Sequence, residues 1–148
     1  MGWDVCGIDL SEGMINIAKH KNPDIEFIKG DMLDLELKEE SLGGAILYYS
    51  IVHFTLEEVE KVFKKLWEIL EDNWVVFMAF HVGDKVLHMD SLFDEKVEID
   101  YMFFDTDKIV NILNKNKYRV IEAITRYPYE NHEYASKKGY IICQKIKD

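Results

Sequence analysis

The chain has few residues that would staple or interrupt a fold: two cysteines, two prolines and eight glycines in 148 residues. Cys6 and Cys143 lie in apolar runs at opposite ends, without the spacing of a zinc site or a redox pair, and read as reduced core thiols. Long apolar runs are also missing. The longest, Trp74 to Phe80, is far too short to span a bilayer, and no basic stretch leading into an apolar segment opens the sequence. A cytoplasmic address is the expectation. Basic residues are outnumbered, 18 against 28 acidic, giving a formal charge of −10 and a pI near 4.9. That balance repels nucleic-acid backbones and anionic membranes, so neither is an expected partner. Among the glycines no Gly-x-Gly pattern occurs, which removes the simplest phosphate-cradling loop.

What remains is an ordinary globular composition, 48% apolar and 31% charged. A chain of this size buries roughly 68–70% of its unfolded surface without help from metals or disulfides. One domain, 1–148, is expected. Val5 to Asp9 is a short apolar run ending on an acid, and Ser11 precedes Met14, Ile15, Ile17 and Ala18 at helical spacing. Asn22-Pro23-Asp24 breaks that helix, and Ile25 to Ile28 reads as a strand closed by Gly30-Asp31. Leu35 to Gly44 is polar and reads as a loop. Ala45 to Tyr49 is a third strand, apolar on both faces as a strand covered by helices on both sides requires.

Thr55 and Glu58 form a capping box before Val59, Val62, Phe63, Leu66, Trp67 and Leu70, which repeat at three and four. Trp74 to Phe80 is the next strand. Residues 81–105 are irregular, rich in aromatics and acids, and read as a lid-like insert over one face. A further helix over Thr106 to Lys115 and two β-rich runs, Tyr118 to Thr125 and Gly139 to Lys145, complete the chain. Alternating strands and helices predict an α/β fold with a mostly parallel sheet, and the last two strands, with no helix between them, predict an antiparallel hairpin at one edge.

In open α/β sheets ligands bind beyond the carboxyl ends of the strands, which points to Asp9, Asp31, Tyr48 to Ser50 and His81. An acid ending a strand before a helix can accept hydrogen bonds from both ribose hydroxyls. Asp9 equally suits helix capping beside Ser11. The ordered series Gly7-Ile8-Asp9-Leu10-Ser11 with Met14, Phe27-Ile28-Lys29-Gly30-Asp31-Met32, Tyr48 to Phe54, and Phe104-Asp105-Thr106 resembles the class I S-adenosylmethionine-dependent methyltransferases of the type 11 kind. The resemblance implies a Rossmann-like methyltransferase sheet and S-adenosylmethionine as cofactor. It assigns Asp9 to the ribose, Leu10 and Met14 to the nucleoside, Asp31 and Met32 to the adenine, and Tyr48 and Ser50 to the methionine half. A small-molecule substrate is implied as methyl acceptor.

The family's first strand and Gly-rich loop should precede the strand ending at Asp9. The expectation is an N-terminally truncated fold in which that unit is absent, leaving strand edges that a second copy covers in a homodimer. Weak or absent S-adenosylmethionine binding by the chain alone follows, with impaired activity. Two alternatives stay open: a non-catalytic remnant or interaction module, and a nicotinamide dinucleotide-binding oxidoreductase, which would use the same acid on ribose. Where the family turns on Pro-Gly-Gly, this chain has Glu71-Asp72-Asn73-Trp74.

His53, His81 and His88 fall near strand ends, and imidazole titrates close enough to neutrality to serve as a general base. His81 and His53 are the candidate catalytic groups, though His53 also suits packing and capping at the entry to the Thr55 helix, and His81 and His88 also suit polar decoration of a lid. No metal is expected, because the spacings among His81, Asp84, His88 and Asp90 do not fix a coordination geometry. Asp94, Glu95, Glu98, Asp100 and Asp105 make the insert acidic, which reads as a solvated face.

Overall fold

The computed structural model describes residues 4–92 and 95–147. It falls into two compact units, Met1–Leu37 and Lys38–Asp148. Asp94 and the Glu95 side chain of the expected acidic insert lie outside the described residues.

In the first unit β1 (Cys6–Asp9) and β2 (Glu26–Lys29) pair in parallel, with Gly7 opposite Phe27 and Asp9 opposite Lys29. Helix α1 (Glu12–Lys21) makes the crossover. It starts at Ser11, whose hydroxyl accepts from the Met14 N–H at 3.3 Å, and it ends before Pro23, which cannot continue a helix. Gly7 has a packing reason: a Cβ there would lie 2.4 Å from the Phe27 ring. Among the described residues of this unit, Ile15 and Leu35 are the buried apolar side chains. Cys6 is exposed, unlike the expected core thiol, because it opens a strand of a two-stranded ladder rather than a covered sheet.

The second unit holds a four-stranded sheet in the order β3-β4-β8-β7, built from β3 (Ala45–Tyr48), β4 (Val75–Val82), β7 (Tyr118–Arg126) and β8 (Lys137–Lys145). β3 and β4 are parallel, while β8 runs antiparallel to both β4 and β7. The terminal hairpin is therefore present, with β7 at the edge and β8 inserted next to β4. Helices α2 (Leu56–Ile69) and α3 (Thr106–Lys115) turn Val59, Val62, Phe63, Leu66, Ile109 and Leu113 inward. They meet Val76, Met78, Phe80, Ile141 and Cys143, which alternate along β4 and β8 on one sheet face and are fully buried. Burial pushes the Cys143 thiol up to about 12, so it stays protonated. Tyr118 joins this core, with its hydroxyl donating to the Phe63 carbonyl at 3.0 Å.

The opposite sheet face differs from expectation. Ile46 is 78% exposed and Tyr48 63% exposed, so β3 is covered on its Leu47 side only. The insert differs as well. It forms an antiparallel hairpin of β5 (Val86–Leu92) and β6 (Glu95–Met102), with a register shift between Met89 and Ser91. The turn at Asn73 adopts φ +65°, a left-handed conformation that Asn tolerates and that replaces the Gly of the family pattern. Among the described residues no helix is long and apolar enough to cross a membrane.

Candidate functional site

Asp9, Asp31, Tyr48, Ser50 and His81 lie at the carboxyl end of a strand or just beyond it, while Met14 lies in α1 and His88 within β5. In the first unit Asp9 ends β1, and its Oδ1 accepts from the Ser11 N–H at 2.7 Å. Asp31 follows β2 in the same manner, with Oδ1 accepting from the Leu33 N–H at 2.9 Å. Both carboxylates hold their own turns with one oxygen, and the other oxygen of each makes no hydrogen bond among the described residues. Leu10 and Met14 are exposed, 66% and 55%, while Met32 is half-buried. The arrangement offers two anionic acceptors and uncovered apolar side chains, the chemistry that ribose hydroxyls and a purine edge require.

In the second unit Tyr48 is exposed, and Tyr49 is the residue that turns inward. Tyr49 has φ +52°, an uncommon backbone conformation for an aromatic residue, held by its N–H donating to the Ala79 carbonyl at 2.9 Å. Its ring centroid lies 4.9 Å from that of His81. Burial, followed by the neighbouring Tyr140 hydroxyl, raises the Tyr49 pKa above the ordinary phenol value. Ser50 Oγ is buried and has no hydrogen-bond partner among the described residues. Such an orphaned hydroxyl is costly unless a ligand or water satisfies it. Within the first unit the free carboxylate oxygens suit the hydroxyls and amine of a nucleoside, and within the second the unpaired Ser50 hydroxyl suits a polar group.

His81 sits at the carboxyl end of β4, stacked on Phe103 at 5.1 Å and edge-on to Tyr134 at 5.8 Å. Its Nδ1 lies 2.7 Å from Ser136 Oγ and 3.3 Å from Lys138 Nζ. Burial first, then the Lys138 and Lys85 ammoniums, push its pKa down to about 4. Lys138 arrives from the start of β8, and Tyr134 and Ser136 from the β7–β8 connection, which Arg126 ties down. Its guanidinium makes a two-pronged pair with Glu133, both bonds at 2.7 Å, donates to the Tyr140 hydroxyl at 2.8 Å and lies over the Tyr129 ring.

His53 stands apart from this group. It is exposed, its Nδ1 faces the Asp100 carbonyl at 3.1 Å, and its ring packs on Tyr101. The Thr55 helix is capped without it, by Thr55 and Glu58 acting on each other. His88 is bracketed on the β5–β6 hairpin by Asp100 at 2.8 Å and Glu98 at 3.1 Å, and all three side chains are exposed. Asp105 serves as the N-cap of α3, accepting from the Asp107 and Lys108 N–H groups. Nothing in the sequence pattern assigns Tyr134, Ser136 and Lys138 to the site. The signal for them was the pairing of Lys138 opposite His81, which only the register of β8 against β4 reveals.

A family model described as a methyltransferase domain matches residues 1–73. The chain is 29% identical over 140 residues, 94% of its length, to the ubiquinone/menaquinone biosynthesis C-methyltransferase UbiE of Campylobacter jejuni, and covers 55% of that protein. It thus spans about half the length of such curated relatives. Among solved structures, an S-adenosylmethionine-dependent methyltransferase from Methanosarcina mazei superposes with a TM-score of 0.85 at 13% identity, covering 97% of this chain and 82% of that one. Another from Clostridium acetobutylicum gives 0.76 at 12% identity, covering 98% and 76%. The antiparallel β8 also departs from the parallel final strand that a nicotinamide-dependent dehydrogenase fold requires. By sequence the chain is similar to methyltransferases, and its fold is that of S-adenosylmethionine-dependent methyltransferases of known structure.

Proposed function

We propose that this chain furnishes the nucleoside-binding carboxylates and the acceptor-facing aromatic cluster of an S-adenosylmethionine-dependent methyltransferase acting on a small planar molecule. The observation that carries the reading is the pair of acids closing parallel strands, each with one oxygen committed to its turn and one left for a ligand. Asp9 accepts from the ribose hydroxyls, and Asp31 accepts from the adenine amine with Met32 against the ring. Leu10 and Met14 supply apolar contact to the nucleoside. Tyr48 and Ser50 attend the methionine half, where the unpaired Ser50 hydroxyl gains a partner.

S-adenosylmethionine, when bound, would supply a sulfonium methyl group that passes to a nucleophile in line, the carbon–sulfur bond breaking and the neutral thioether leaving. The chain's own contribution is to position the acceptor and exclude water. Tyr49, His81, Phe103 and Tyr134 present aromatic faces suited to a flat ring. The name of the Campylobacter relative, a C-methyltransferase of ubiquinone and menaquinone biosynthesis, supports a phenolic ring as acceptor. A cytoplasmic setting and self-association through β3 belong to the same proposal.

Equilibrium titration of S-adenosylmethionine against the chain and its Asp9→Asn variant tests the reading. Asn keeps an oxygen for the Ser11 turn and removes the charge. Weak binding to the unaltered chain, reduced about tenfold or more in the variant, is expected from the loss of charge-assisted hydrogen bonds. Equal affinities, or no binding to the unaltered chain at millimolar cofactor, contradict it.

A further inference from the structure

We propose that Lys138 and Ser136 are positioning residues that hold His81 as the neutral Nε2–H tautomer, so that its imidazole donates a hydrogen bond to an acceptor oxygen instead of taking a proton. The second half of the proposal rests on the methyltransferase reading; the first does not.

The argument begins with what an ammonium can do. A lysine side chain has three donors and no acceptor. Lys138 Nζ lies 3.0 Å from the Tyr134 carbonyl, 3.1 Å from Ser136 Oγ and 3.3 Å from His81 Nδ1, three partners for three protons. Nδ1 must accept, because a proton there would confront the ammonium donor to donor. Ser136 Oγ already accepts from Lys138, which leaves its own proton free for Nδ1 at 2.7 Å. Two donors therefore converge on Nδ1, and the ring proton resides on Nε2.

The surroundings favour the uncharged ring. Lys138 is 3% exposed and Ser136 9%, so the arrangement is built into the structure. Lys138 is the cross-strand partner of His81 in the β4–β8 ladder, which sets their spacing through the backbone. The other groups facing the ring are Tyr49 at the end of β3, Tyr134 from the β7–β8 connection, Phe103 beyond β6, and Lys85, whose ammonium lies over Phe103. No carboxylate makes a hydrogen bond or ion pair with His81 or Lys138 among the described residues, since Glu133 is engaged by Arg126. An imidazolium would therefore meet the buried Lys138 ammonium, whose charge neighbour Glu133 is already paired with Arg126, and the downward displacement of the His81 pKa agrees.

The chemical consequence is specific. A general base needs an open lone pair, and that of His81 is occupied. Its Nε2–H suits an oxygen carrying negative charge, such as the phenolate of a hydroxylated ring, whose ionised form it stabilises.

Two-bond proton–nitrogen correlation spectra of the uniformly ¹⁵N-labelled chain test this. The expected result is a neutral His81 with the proton on Nε2 across roughly pH 5–8. In Lys138→Met the ring should titrate closer to an ordinary histidine and mix its tautomers. Ser136→Ala, which keeps the lysine, should retain the Nε2–H form with a smaller preference. An Nδ1–H tautomer, or protonation near pH 6.5 in the unaltered chain, overturns the proposal whatever the variants do, and it does so without any cofactor. Titration with 4-nitrophenol then probes the donor role. A shift of the His81 Nε2 resonance supports it, and an unmoved resonance overturns that half alone.

Discussion

Arg126 and Glu133 form a two-pronged ion pair, with both nitrogen–oxygen distances at 2.7 Å, seven residues apart across the start of the β7–β8 connection. Glu133 also accepts from the Tyr129 N–H at 2.8 Å, so one carboxylate fixes both the arginine and the turn. The connection delivers Tyr134 and Ser136 to His81 and leads into Lys138 at the start of β8, and the pair is thus the fastening of the candidate acceptor wall.

That fastening has a pH dependence. The Arg126 guanidinium and the Tyr129 N–H hold Glu133 down at about 2, below its ordinary 4.5. A carboxylate lowered on folding contributes stability above its unfolded pKa and loses it as pH falls toward the folded value. Thermal unfolding of the unaltered chain and Arg126→Gln should differ most at neutral pH and converge as pH drops from about 4.5 toward 2. A gap that stays constant with pH would refute this.

Gly139 is a packing constraint inside the same hairpin. It lies opposite Phe80 in the β4–β8 ladder, and a Cβ there would be 2.7 Å from the Phe80 ring and 2.9 Å from Val82 Cγ2. Gly139→Ala is expected to cost about 1–3 kcal/mol, read as a fall in Tm of about 2–4 °C per kcal/mol. An unchanged Tm would mean that the ring yields freely.

Thr55 was legible from sequence and remains a local test. Its hydroxyl accepts from the Glu58 N–H at 3.3 Å, while Glu58 accepts from the Thr55 N–H at 2.8 Å. Thr55→Ala should destabilise the chain by about 0.5–2 kcal/mol in denaturant titration, with little change in slope. A neutral substitution would show that tertiary packing of α2 dominates its end.

Helix α2 could be read because its box and its three-and-four repeat agree. The β5–β6 hairpin was read as irregular for the opposite reason. Lys96, Glu98 and Asp100 are poor strand formers, and they masked the alternation of Val97, Ile99 and Tyr101, which the structure turns to the half-buried side. Asp9 was legible because it directly follows an apolar run, and Asp31 because it closes the next strand pattern after Lys29-Gly30. The His81 partners were not, since Ser136 and Lys138 are 55 and 57 residues away and meet it only through strand register.

The uncovered side of β3 predicts self-association. Ile46 is 78% exposed and Tyr48 63% exposed on the terminal strand of the four-stranded sheet. Sedimentation should show a concentration-dependent dimer of the chain, weakened by Ile46→Glu. A monomer mass independent of concentration would contradict it.

The most direct measurement of the central claim is residue-level mapping of S-adenosylmethionine on the chain by amide chemical shifts, with adenosine as the nucleoside-only comparison. The account predicts that both ligands move the amides from Asp9 to Met14 and from Gly30 to Leu33, and that Asp9→Asn suppresses both responses together. Shifts confined to other segments, or a response to S-adenosylmethionine that survives Asp9→Asn unchanged, would contradict it.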